Sequence, residues 1–102
     1  MSRLYFTITG MNHYYGSQFL KPGMRVRLIK EPDNEYDNEA IKVELNGLGK
    51  IGYVAASPYT RIGESVSAGR LGVEFGDTAS GKIMYLLDKG ALCSFEKQRK
   101  NR

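Results

Sequence analysis

Two short stretches hold the residues whose types and spacing can do chemistry: Asn12-His13-Tyr14-Tyr15, beside Gly16, and Asn34-Glu35-Tyr36-Asp37. Aromatic rings in polar, turn-forming surroundings offer faces on which unpaired bases stack, at about 1–3 kcal/mol per base, when cations nearby follow the phosphates. Arg25, Arg27, Lys42 and Lys21 are the candidate cations, although single surface charges of this kind are commonly just solvated. Asp37 is the informative residue, because a carboxylate beside phosphates is repelled by them and needs a compensating purpose. An ionised carboxylate accepts a strong hydrogen bond from a terminal hydroxyl, whereas a terminal phosphate there meets like charge, so Asp37 is a candidate selector of a free 3′-hydroxyl. The alternative is that Asp37 only caps its turn or the backbone of Ala40. Asn34 divides in the same way between a base edge and the closing of the turn, and the turn is preferred. Tyr36 is read as a stacking ring over a rim or core position, and one of Tyr14 and Tyr15 is expected to face inward if the chain there is extended.

Other chemistries are poorly supplied. Asp33, Glu35, Asp37 and Glu44 fall at positions 1, 3, 5 and 12 of a calcium loop, but position 6 is Asn38 where the sharp turn needs glycine, and Ile41 to Leu45 reads as strand where a helix should begin. One cysteine, Cys93, and one histidine, His13, do not make up a zinc set or an internal disulfide. His13 and Asp37 can be paired on paper as base and orienter, yet no nucleophile accompanies them. No G-x-x-x-x-G-K-[ST] run is present to cradle a nucleotide. The expectation is a binding module with no catalytic residues, no cofactor and no metal.

The 102 residues suffice for one core, with 41% hydrophobic and 25% charged residues and a net charge of +4, which suits an anionic partner without demanding one. One domain over residues 1–95 and a basic tail over 96–102 are expected. No run approaches the roughly 18 apolar residues of a spanning helix, and Met1 to Tyr5 lacks the apolar core of a signal peptide, so a cytoplasmic protein without membrane association is expected.

The elements that must position the two stretches are mostly strands. Leu4 to Thr9 is aromatic and β-branched and closes at Gly10. Met24 to Leu28 alternates apolar and basic, which places Arg25 and Arg27 together on a cationic outer face. Glu31 to Glu39 is a loop of side-chain-capped turns. Ala40 to Leu45 and Lys50 to Val54 flank Asn46-Gly47 as a hairpin. Ser57 before Pro58 predicts a short helix with Tyr59, Ile62 and Val66 on one face, ending near Gly69. Further strands are predicted over Leu71 to Phe75, Lys82 to Leu87 and Ala91 to Phe95. The fold class is therefore mainly β: a small, partly closed OB-like or SH3-like barrel of about six strands with one or two short helices.

The run Glu31-Pro32-Asp33-Asn34-Glu35-Tyr36-Asp37-Asn38-Glu39-Ala40-Ile41-Lys42-Val43 resembles the signature of the HIRAN domain. Gly10 with its aromatic cluster precedes it, and a hairpin with Ile51-Gly52-Tyr53-Val54 follows, both in family order over about residues 4 to 70. The resemblance implies a modified OB-like barrel that binds single-stranded DNA at a free 3′ end, with a helicase or nuclease as partner protein in DNA repair or remodelling. It places the base-stacking ring at Tyr36, adds Tyr53 to the DNA-binding set, and favours the hydroxyl-binding role for Asp37. Where relatives that bind 3′ ends carry Arg-Tyr after the Gly-apolar pair, this chain has Asn12-His13, which removes a cation and a larger ring from the expected pocket. The rival reading is a protein-interaction adaptor that captures a peptide on its aromatic loop or an edge strand.

Overall fold

The structure, a computed structural model, describes residues 3–14 and 18–96, and of His13 the backbone alone. Tyr15 and the basic tail beyond Glu96 lie outside the described residues. The described residues form six strands: β1 (Tyr5–Thr9), β2 (Arg25–Lys30), β3 (Ile41–Leu45), β4 (Gly49–Val54), β5 (Thr78–Leu87) and β6 (Gly90–Glu96). A 3₁₀ turn (Met11–His13) follows β1, and one short helix, α1 (Ala68–Gly72), lies between β4 and β5. The strands pair in the order β1-β4-β3-β2-β5-β6 and the ring closes, β1 pairing antiparallel with both β4 and β6. Closure leaves every strand among the described residues paired on both sides, so none of them is an edge strand.

Alternation decides what points inward. Phe6 and Ile8 from β1, Val26 and Leu28 from β2, Ile41 and Val43 from β3, and Ile83 and Cys93 from β5 and β6 are buried in one core. Burial pushes the Cys93 thiol up to about 12, so it stays protonated and serves as a small apolar side chain. β5 begins four residues earlier than its apolar run suggests, at Thr78. Gly81 explains why so weak a β-former sits inside it: a Cβ there would lie 2.6 Å from the ring of Phe6, so the ring occupies the space a side chain would take.

The segment between β4 and β5 departs from the predicted helix and strand. Ser57 does start one turn, its carbonyl accepting from the Thr60 and Arg61 amides and its Oγ from the Tyr59 amide. The turn stops there because Gly63 takes a left-handed conformation (φ 56°) and Val66 is drawn into a parallel bridge with Phe6. Tyr59 is therefore 90% exposed and not on a helix face. The helix starts afresh at Ser67, whose Oγ accepts from the Arg70 amide at 3.2 Å, and it buries Ala68 and Leu71. Leu71 thus belongs to α1, and Leu71 to Phe75 is not a strand; packing of Leu71 on the core overrides a modest strand pattern.

Candidate nucleic-acid interface

The loop between β2 and β3 builds its shape from short-range bonds. The Glu31 amide donates to the Ala40 carbonyl at 2.9 Å and closes the neck, and the Asn34 amide donates to the Glu31 carbonyl at 3.0 Å. Asn34 Oδ1 then accepts from the amides of Tyr36 (2.9 Å) and Asp37 (3.1 Å), which is the turn-closing role preferred for it. Asp37 Oδ1 accepts from the Glu39 amide at 2.9 Å, while Ala40 donates to the Asp37 carbonyl. The side-chain cap therefore falls on Glu39 and not on Ala40. Held in this way, Tyr36 is turned outward and is 90% exposed. Asp37 spends one carboxylate oxygen on the turn, and the second has no donor among the described residues.

Beside this loop opens a groove of about 430 Å³. Asn34, Tyr36, Asp37 and Ala40 form one wall, and Tyr14, Tyr53 and Val54 form the other. Five of the sequence candidates thus meet at one place: Tyr14, Asn34, Tyr36, Asp37 and Tyr53.

A polar chain ties the two walls together. Lys50 Nζ donates to Tyr53 Oη at 2.8 Å, Tyr53 Oη donates to Glu31 Oε1 at 2.8 Å, and Asn34 Nδ2 donates to the same oxygen at 3.0 Å. The ammonium also lies 4.8 Å from the Tyr53 ring centre and 5.4 Å from that of Tyr14. Burial draws the Glu31 carboxyl upward, but the hydrogen bonds from Asn34 and Tyr53 and the charges of Lys50 and Lys42 outweigh it and leave its pKa below the ordinary value. The bond to Tyr53 chiefly holds the Lys50 pKa above its ordinary value against desolvation. Burial, reinforced by Glu31 and opposed by Lys50, raises the Tyr53 phenol. At neutral pH the chain is ammonium, neutral phenol, carboxylate.

Neither Lys50 nor Glu31 was singled out from the sequence, and for Lys50 the reason is a β-bulge. Lys42 faces Tyr53 and Val43 faces Gly52, but Glu44 faces Lys50, so Ile51 is an extra residue on β4. Ile51 and Gly52 are both buried, and Lys50 emerges on the same outer face as Tyr53. Strict alternation would have set residues three apart on opposite faces.

The other candidates separate. Lys42 stands across from Tyr53 on the outer face but is paired with Glu44 at 3.2 Å. Arg25 and Arg27 face outward as alternation requires, and neither lines the groove. Ile29 is the β2 residue level with Lys42, and Arg25 lies four residues further along, roughly 13 Å at strand spacing, bound to Glu96 at 2.7 Å. Asn12 lines a different cleft, with Thr9, Asp88 and Lys89 at the β5–β6 turn. The ring of His13 and all of Tyr15 fall outside the described residues.

The HIRAN domain family model matches residues 1–70, a span that contains both walls of the groove and the polar chain. The chain belongs to the HIRAN domain family. HIRAN domains are DNA-binding modules, and this one is a nucleic-acid-binding module on that ground. The chain is also similar to a crystal structure of a protein from Lactobacillus plantarum, solved as a structural-genomics target. Identity is 24%, the match covers 93% of this chain and 97% of the other, and the TM-score is 0.57, which supports the barrel and nothing finer. No curated protein matches this HIRAN domain. Among the described residues no helix is long and apolar enough to cross a membrane.

Proposed function

We propose that this HIRAN domain binds single-stranded DNA at a free 3′-hydroxyl end, without catalysis, as an accessory to a helicase or nuclease in DNA repair or remodelling. One observation carries the reading: Tyr36, 90% exposed at the mouth of an open groove, stands next to an Asp37 with one carboxylate oxygen unspent. An unpaired terminal base can stack on the Tyr36 ring, which makes no ring contact with another aromatic residue among the described residues. The terminal hydroxyl can then donate to the free oxygen of Asp37, and a terminal phosphate in its place would bring two negative charges together. Tyr14 and Tyr53 supply further rings in the groove lining, while Asn12 lines a different cleft.

The test is fluorescence anisotropy of a 5′-labelled oligothymidine ending in a 3′-hydroxyl or a 3′-phosphate. Tighter binding of the hydroxyl end is expected, with affinity falling steeply as salt rises. Equal binding of the two ends removes end selection, and an intact oligonucleotide after prolonged incubation is expected of a non-catalytic module.

A further inference from the structure

We infer that Lys50 is the phosphate-reading cation of the groove, and that its ligand is the phosphodiester joining the last two nucleotides of the bound strand. The inference rests on the single-strand reading above and deepens it. Lys50 meets the groove through its contacts with Tyr53 and Tyr14. Among its neighbours on the outer face, Lys42 is committed to Glu44 at 3.2 Å, and Arg27 makes no hydrogen bond or ring contact with a groove-lining residue among the described residues, whereas no carboxylate among them comes within ion-pair distance of Lys50. Glu31 is joined to it only through the Tyr53 hydroxyl. An ammonium carries three donors, and one is used on Tyr53. Two remain for an anion.

Position argues the same way. The ammonium is held by the two rings of the wall that faces Tyr36, 4.8 Å from the centre of Tyr53 and 5.4 Å from that of Tyr14. A lysine side chain is ordinarily mobile, and here the hydroxyl and both rings fix it before any ligand arrives, so less freedom is lost on binding. If the terminal base stacks on Tyr36 and the 3′-hydroxyl meets Asp37, the nearest phosphate is the one on the 5′ side of that nucleoside. Asp37 in the groove lining and Lys50 against the rings of Tyr53 and Tyr14 then orient the strand, hydroxyl toward the acid and diester toward the ammonium.

The experiment measures affinity of the full chain for 5′-labelled oligothymidine between about 50 and 200 mM salt, where each phosphate contact on a single strand adds about 0.7 to the salt slope. Lys50→Met, which keeps the stem and loses the charge, is expected to weaken binding about tenfold, as loss of a charged hydrogen bond does, and to make the slope shallower by about 0.7. Lys50→Arg is expected to keep the slope. On the unaltered chain, a strand whose last linkage is an uncharged methylphosphonate should show the same loss of affinity and slope, and Lys50→Met should add nothing to it. Weaker binding by Lys50→Met with an unchanged slope would mean that Lys50 merely positions the rings and would overturn the assignment. So would a Lys50→Met penalty that persists on the methylphosphonate strand. Failure of the unaltered chain to bind any oligonucleotide sinks the single-strand reading itself, a result distinct from either.

Discussion

Tyr36 and Tyr59 are equally exposed, at 90%, and each follows a turn whose amide is taken by a side chain two residues earlier, Asn34 Oδ1 in one case and Ser57 Oγ in the other. The two loops differ in where their remaining polar groups point. Around Tyr59, apart from a buried Arg61 Nε that has no partner among the described residues, they are spent inward: Thr7 Oγ1 accepts from the Ile62 amide at 2.9 Å and is bonded to Ser65 Oγ at 2.8 Å, with Thr7 and Ser65 both buried. Around Tyr36 the chain from Asn34 through Glu31 and Tyr53 ends at Lys50, on the surface, and Asp37 keeps a free oxygen. An exposed ring is common, and a ring with an unspent acceptor, a facing pair of rings and a fixed cation is what separates a binding loop from a connector.

The sharpest way to break that contrast is to remove each ring in turn. Tyr36→Ala should cost about 1–3 kcal/mol of affinity for single-stranded DNA, the value of one stacked base. Tyr59→Ala should cost none, and neither should move the melting temperature appreciably, since neither ring is packed. Equal losses in anisotropy would show that strand binding is not confined to the groove.

Thr7→Val tests the connector from the other side. It keeps the volume but leaves the Ile62 amide and the Ser65 hydroxyl without their partner in a buried place, which should destabilise the domain by about 2 kcal/mol in denaturant unfolding. Affinity of the folded domain should be unchanged. A large loss of affinity would mean that the connector shapes the groove after all. Asp37→Asn should have a smaller effect, about 1 kcal/mol, confined to discrimination between 3′-hydroxyl and 3′-phosphate ends. The amide oxygen can still accept from the Glu39 amide, so the loop survives while the charge that rejects phosphate is gone. Undiminished discrimination in this variant would leave Asp37 a turn residue only.

Legibility in the sequence followed the range of the interactions involved. The signature loop is written almost wholly in bonds spanning two or three residues, so Asn34, Asp37 and the outward Tyr36 follow from local chemistry. The strand faces of β2 and β3 follow from alternation, and the hairpin from the Asn46-Gly47 turn between its two strands. What failed depended on contacts distant in the chain. Gly81 looks like a break until Phe6 is placed against it, and Leu71 reads as strand until the core claims it for α1. Arg25 has the right face at the wrong height, and Arg27, level with Lys50 through Glu44, lies two strands away from it, because position in a sheet is a matter of register. Lys50 was hidden by one extra residue in β4, which no periodicity records.

The smallest expected effect comes from charge in the polar chain, and it sharpens the difference between the two regions. Glu31 has its pKa held below the ordinary 4.5 in the folded domain, so it binds fewer protons folded than unfolded just below that pH. Its charge therefore contributes stability that is present above pH 4.5 and is lost as pH falls through the lower, folded value. Glu31→Gln keeps an oxygen for Tyr53 but removes the charge that faces Lys50 and Lys42. The variant should melt slightly below the unaltered protein at neutral pH, with the gap closing as the pH is taken below 4.5. The link among Thr7, Ser65 and Ile62 contains no titrating group, so the deficit of Thr7→Val should stay level over the same range. A Glu31→Gln gap that is just as wide in acid would mean that this carboxylate acts by shape alone, and the two regions would then differ in geometry but not in kind.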